Sequence, residues 1–310
     1  MTLEQILEDL KTDRVKKCIL DSDMYNEMDD QYALAYCLGR PDKINLLSIN
    51  AAPFDNGRTA TFEKGMEASY REIFKILDVC GRNDGSIPAY EGSRVRFTAE
   101  NDWAPIDSPA ARNIIKTVKE SDEIVYILTT GCCSNVTSAC MMDPSITDNM
   151  CVIWLGGHLF EHPDCAEFNL IQDYAAGQLL LNLDIPLILL PACGPVAGGT
   201  QELKFSIDTF RSIKGEGKAQ KFFRDDFVMQ FAEEDHVLNN ISEWRRVIWD
   251  IAAPGVICHP ESYTFKIIPA PIFGDDHKYA FDSTRHKIIY MEKLDADVIT
   301  KDTCEAISSL

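Results

Sequence analysis

The stretch ILDSDMYNEMDDQYALAY, residues 19–36, runs from an apolar segment into an amphipathic one and sets Asp21, Asp23, Glu27, Asp29 and Asp30 within ten positions between them. The apolar run of residues 15 to 20 has the length and β-branched content of a strand. Residues 29 to 38 carry the period of a helix, so the acids occupy the turn of a strand-to-helix unit. Two carboxylates about 4 Å apart repel by roughly 1 to 4 kcal/mol, depending on how far water screens them. The turn therefore needs solvent, protons or a bound cation. Asp29 and Asp30 at the start of the helix interact well with its macrodipole, by about 0.3 to 1 kcal/mol each, which leaves Asp21 and Asp23 to be explained.

Working outward, further strand-like runs occupy residues 44 to 49, 124 to 128, 151 to 155 and 186 to 190. Helical patterns separate them at 59 to 79, 108 to 120, 134 to 142 and 173 to 182. Strands that alternate with helices imply parallel βαβ units, so the expected fold is α/β: an open, mostly parallel sheet with helices on both faces, formed by residues 1–310 as a single domain. In such sheets ligands bind beyond the carboxyl ends of the strands. The loops there hold Asp21 to Asp23, Ala51 to Asn56, Thr129 to Gly131, Gly156 to His158 and the AEFN run at 166–169. Residues 201 to 247 are acidic and helical in pattern, and SEWRRVIWDIAAPGVICHPE (242–261) is expected as a helix carrying Asp250 on an apolar stretch. A buried carboxylate is costly without a partner, so Asp250 needs one. RHKIIYMEKLDADVITKD (285–302) reads as a closing strand and helix.

Composition narrows the function. The net charge of −19 argues against nucleic acid or an anionic membrane as partner and favours small neutral substrates or metal cations. The N-terminal sequence has no basic start followed by an apolar core, and no apolar stretch is long enough to span a bilayer, so a cytoplasmic location is expected. Eleven cysteines form no CxxC pair and are expected as reduced core residues. Cys132 and Cys133 lie beside a candidate loop, but no nearby histidine would activate a thiol.

Two other motifs compete for the acidic run. An EF-hand fails because Tyr25, Asn26 and Tyr32 stand where that loop needs a ligand, a glycine and a glutamate. A phosphatase of the haloacid dehalogenase class would use Asp21 and Asp23 as nucleophile and general acid, ILTT at 127–130 as second motif and FGDD at 273–276 as metal-binding acids. That reading gives no role to Asp29, Asp30, Glu167, Asn169 or Asp250.

Taken in order, DSDMYNEMDD, TTG with Asn135, WLGGH, AEFN and IWDIAA resemble the nucleoside hydrolases, the inosine-uridine preferring family, over about residues 16 to 300. The resemblance implies calcium-dependent hydrolysis of the N-glycosidic bond of a ribonucleoside or related ribosyl compound, in a homo-oligomer, dimer or tetramer. By position, it implies that Asp23, Asp30, Asp250 and the Thr130 carbonyl bind Ca2+. It further implies that Asp23 activates the attacking water, that Asp29, Glu167 and Asn169 hold the ribose hydroxyls, and that Asp21 braces the loop. Oxygen-only ligation suits a hard cation, and a ring of carboxylates suits an oxocarbenium-like transition state.

The sequence departs from the family pattern in places that bear on the leaving group. Tyr25 replaces a glycine and is expected to strain or re-aim the loop if the position needs positive φ. Glu27 replaces an aspartate and is expected as a solvated acid, Gln31 replaces an alanine, and Asn56 is the candidate substitute for a glycine-asparagine pair after the second strand. Trp249 stands where a histidine is proposed to protonate the leaving base; indole stacks on a ring but is no acid. Tyr25, His158 and His162 are the candidates for that task, and a ribose-binding homologue that has lost turnover is the remaining alternative.

Overall fold

The computed structural model describes residues 1–310. Helix α1 (Leu3–Leu10) leads into β1 (Lys16–Ser22), α2 (Asp29–Gly39), β2 (Ile44–Ala51), α3 (Phe62–Val79), β3 (Ala89–Glu91), α4 (Pro109–Glu120), β4 (Val125–Thr129), α5 (Ser134–Met142) and β5 (Met150–Leu155). There follow α6 (Phe168–Gln172), α7 (Tyr174–Asn182), β6 (Leu187–Leu190), β7 (Lys204–Ser206), α8 (Ile207–Arg211), α9 (Lys218–Lys221) and α10 (Phe227–Glu234). The chain closes with β8 (Arg245–Val247), α11 (Ala252–Cys258), β9 (Tyr263–Pro269), the hairpin β10 (Ile272–Phe273) and β11 (Tyr279–Ala280), β12 (Lys287–Leu294) and α12 (Ala296–Ser308).

Eight strands form one sheet in the order β3-β2-β1-β4-β5-β6-β12-β9, parallel except for β9. Alternate residues of each strand point to opposite faces. Cys18, Leu20, Tyr126, Leu128, Cys151 and Ile153 accordingly pack with Leu34, Leu38, Met66 and Ile307 of α2, α3 and α12. Ile19, Val125, Ile127, Val152 and Trp154 pack with Ile114, Val118, Val136 and Leu180 of α4, α5 and α7. This is the expected sheet with helices on both faces. Strand order reverses direction between β1 and β4, and a crevice opens at such a switch beyond the carboxyl ends of the strands.

Several expected boundaries change. The helix expected from residue 59 begins at Phe62, where Thr61 caps it by accepting from the Lys64 N–H. The helix expected at 173 to 182 is α7, capped by the Asp173 side chain, which accepts from the Ala176 N–H, and the short α6 directly precedes it. The expected long helix at 242–261 is a strand, a 3-10 turn at Trp249–Ile251 and then α11. Arg245–Val247 finds its ladder in Lys204–Ser206, a partner about 40 residues away that helical periodicity cannot register. The region from 201 to 247 is thus only partly helical. Ten cysteines are buried, Cys193 is half-buried and none is paired. No helix is long and apolar enough to cross a membrane.

Candidate active site

A cavity of about 390 Å³ lies at the switch, lined by Asp23, Asn26, Glu27, Asp29, Asn56, Thr130, Leu155, His158, Glu167, Phe168, Asn169, Ala192, Cys193, Trp249 and Asp250. That volume suits a small polar molecule. Asp23 follows β1, Asp29 and Asp30 open α2, Thr130 follows β4, and Asp250 sits in the 3-10 turn before α11. That turn replaces the expected helix because Pro254 lacks an N–H, which only the first turn of α11 tolerates. Gly131 lets the β4 loop sit close under Asp23: a Cβ there would fall 3.2 Å from the Cβ of Asp23 and 2.8 Å from that of Ala52.

Carboxylate oxygens of Asp29, Asp30 and Asp250 lie within 4.8 Å of one another, all three residues being buried. Both oxygens of Asp23 and Oδ2 of Asp30 are buried without a hydrogen-bond partner. The other oxygen of Asp30 accepts from the Ser22 hydroxyl and, at 3.4 Å, from that of Thr130. Burial first, and then the charges of Asp30 and Asp29, push the Asp23 carboxyl well above the usual range. Burial and the charges of Asp29, Asp30 and Asp23 do the same to Asp250. Asp29 is raised by burial and by Asp30, and Asp30 is pushed up to about 6, chiefly by burial. An uncompensated cluster of this kind is costly; its orphaned, all-oxygen donors fit a hard divalent cation.

Around the cluster, the second residue layer is firm. Asp21 is fully buried outside the cavity and accepts from Asn135 at 3.1 Å and Asn50 at 3.2 Å; burial nevertheless pushes it up to about 7. Its backbone carbonyl accepts from the Thr130 N–H at 2.8 Å, tying β1 to the β4 loop. Asn169 donates to the Thr130 carbonyl at 2.9 Å and to that of Leu155 at 3.2 Å. Thr130 oxygen keeps a second lone pair for another partner. Glu167 is the helix cap of α6: it accepts from the N–H groups of Asn169, Leu170 and Gly157 at 2.8, 3.0 and 3.2 Å. Burial pushes its carboxyl up to about 7 against those three donors.

The less polar part of the lining is Trp249, Phe168, Leu155, Ala192 and Cys193. His158 joins it from the loop after β5, its ring centroid 4.1 Å from that of His162. Burial, and then His162, push the His158 imidazolium down to about 4.

Two expectations at the mouth change. Tyr25 lines a separate depression with Arg58, Lys64 and Arg71, the Arg58 guanidinium lying 5.3 Å from its ring centroid. It is also absent from the residues with positive φ, so the expected loop strain does not arise. Glu27 is not a free solvated acid: it meets Arg246 at 2.9 Å, and Arg246 also meets Asp235 at 3.0 Å. Asn56 does reach the cavity, where it donates to Asn26 at 2.6 Å. Asn26, Phe168, Ala192 and Cys193 were not anticipated; no local pattern marks them, since the strand ends bring them together. The phosphatase reading loses its parts, because Asp21 is outside the cavity and Asp275 and Asp276 lie in the β10 to β11 turn, where Asp275 accepts from Gln178.

Residues 18–303 match the family model described as inosine-uridine preferring nucleoside hydrolase. The chain belongs to that family. The pyrimidine-specific ribonucleoside hydrolase RihB of Escherichia coli strain SE11 is 25% identical over 198 residues, covering 56% of this chain and 59% of the relative. The chain thus aligns with under two thirds of the length of this curated relative. Among solved structures, an inosine-guanosine nucleoside hydrolase superposes with a TM-score of 0.71 at 16% identity, over 95% of this chain and 99% of that one. A purine-preferring ribonucleoside hydrolase from Gardnerella vaginalis gives 0.66 at 20% identity, over 94% and 98%. These likenesses establish the nucleoside hydrolase fold.

Proposed function

We propose that this protein hydrolyses the N-glycosidic bond of a ribonucleoside or a related ribosyl compound and depends on Ca2+. The observation that carries the reading is the set of buried, unpartnered oxygens of Asp23 and Asp30 beside Asp250 in a cavity of nucleoside size. Asp23, Asp30, Asp250 and the Thr130 carbonyl would hold the ion. When bound, Ca2+ neutralises the clustered charge and makes water a better nucleophile. Asp23 accepts the proton of the attacking water, with no hydrogen bond of its own to lose. Asp29, Glu167 and Asn169 bind ribose hydroxyls, and Glu167 also sets the α6 start that holds Asn169 in place. As the bond to the base weakens, positive charge grows on the sugar, and the surrounding carboxylates stabilise it more than they stabilise the ground state.

Asp21 acts as a brace, fixed by Asn50 and Asn135, and Trp249 offers its ring face to the base. The remaining expectations, a single cooperatively folding domain that forms a dimer or tetramer in the cytoplasm, belong to the same proposal; light scattering and a single unfolding transition check the first two. Release of ribose from purine and pyrimidine nucleosides, with calcium and after chelation, tests the function. Turnover that needs calcium supports it. A second reading, a protein that binds ribosyl ligands without cleaving them, is favoured by Trp249 at the wall beside Asp250. It predicts ligand-induced thermal stabilisation with no product, and measurable ribose removes it.

A further inference from the structure

The cavity has a firm sugar end, while its leaving-group end lacks an obvious acid. Trp249 cannot protonate a base. Glu27 is engaged with Arg246, Tyr25 lies outside, and both oxygens of Glu167 are committed to three backbone N–H groups at the start of α6 and the Gly157 turn. The Cys193 thiol is pushed up by burial, which makes it a weaker acid. The acids of the proposed ion cluster take protons rather than supply them. His158 remains.

We propose that His158 is the acid that protonates the departing base, held in place by Tyr279. This rests on the ribohydrolase reading above. His158 lines the cavity, and its buried ring nitrogen Nδ1 meets no partner in the protein. The Tyr279 hydroxyl clamps its backbone from both sides: it accepts from the His158 N–H at 3.0 Å and donates to the His158 carbonyl at 2.6 Å. Glycine precedes it at 157 with φ of 70°, so the chain turns sharply out of β5 and delivers the ring to the wall. β5 is two strands from β1 across β4, about 10 Å at ordinary strand spacing, which leaves room for a ribosyl ring and part of its base between the two strand ends.

His162 completes the arrangement. Its Nδ1 lies 2.9 Å from the Asp164 carbonyl, and ring nitrogens of the two histidines are within 4.8 Å, the reach of one bridging water. Burial and its neighbour keep the His158 imidazole neutral at rest, so it takes its proton from solvent only as negative charge grows on the base. An anion forming about 4 Å away offsets a depression of that size at an effective dielectric near 20. Water thus gives its oxygen to the anomeric carbon and a proton to Asp23. The C–N bond breaks with its electron pair passing to the base, which takes the proton of His158. Release of the Asp23 proton to solvent replaces the one that His158 took up and closes the cycle with no redox change.

The test compares nucleosides with p-nitrophenyl β-D-ribofuranoside, whose phenolate departs without protonation. For His158→Gln, kcat on nucleosides should fall on the order of 100-fold, the usual worth of a general acid. The nitrophenyl rate should change less than about threefold on the same ground, which also proves the variant folded. Tyr279→Phe should show the same selectivity with a smaller loss. Equal losses on both substrates, or no loss on nucleosides, overturn the His158 assignment and leave the ribohydrolase reading standing. Failure of the unmodified protein to cleave either substrate overturns that reading, and the assignment with it.

Discussion

Replacing Asp250 with asparagine should have opposite effects with and without calcium. Its carboxylate oxygens lie within 4.8 Å of those of Asp29 and Asp30 in a buried cluster. At an effective dielectric near 20, one ionised pair at that distance repels by roughly 3 kcal/mol. Unfolded aspartates titrate near pH 3.9, whereas burial and mutual charge raise these carboxyls in the folded chain, Asp30 to about 6. A raised acid makes the folded state bind more protons. The metal-free protein is therefore most stable below about pH 4 with respect to these groups and loses that stability as pH rises through the folded values. Asp250→Asn removes one charge from the cluster, so at pH 8 in chelator it should stabilise the fold, by at most ~3 kcal/mol. At about 2.1 cal/mol/K per residue, a chain of this length shifts by roughly 1.5 °C per kcal/mol, so Tm should rise by up to ~5 °C. The gain should fade by pH 5, where the neighbouring carboxyls are largely protonated. With calcium at 100 times its Kd the unmodified protein gains about 2.7 kcal/mol, and Asp250→Asn should lose most of that shift. Differential scanning fluorimetry at both pH values, with chelator and with calcium, measures all four quantities. A variant that is less stable than the parent in chelator at pH 8, or that keeps the full calcium shift, refutes the cluster as an ion site.

Asn169→Ala should leave the Thr130 and Leu155 carbonyls without their donor, costing about 1 to 3 kcal/mol in a denaturant titration and weakening nucleoside binding. Glu27→Gln breaks a part-exposed pair with Arg246; the expected loss of stability is under ~1 kcal/mol, with any kinetic effect in KM rather than kcat. Tyr25→Phe should leave kcat/KM within about threefold, since the ring faces Arg58 outside the cavity; a larger loss would place Tyr25 in the substrate path.

The acidic turn after β1 was legible because short-range constraints act there: an apolar strand must stop, a helix favours acids at its start, and unpaired carboxylates demand compensation. The alternation of strands and helices likewise follows from side-chain period alone. Helical periodicity failed at 242–261 because β8 obtains its hydrogen bonds from β7, far back in the chain. It also failed to announce β9 and the β10 to β11 hairpin, whose Tyr279 fixes the backbone of His158 from 121 residues away. Glu27 looked solvated for the same reason, since its partner Arg246 is 219 residues distant.

The sequence by itself determined the α/β class, the family resemblance and the acids at the sugar end, because those depend on residue type and local spacing. Tertiary structure decided what the acids face. It turned Tyr25 outward, paired Glu27 with Arg246, and brought His158 and Trp249 to one cavity. Each of these rests on contacts between segments far apart in the chain that meet only once the fold has formed, and no local pattern encodes such a contact.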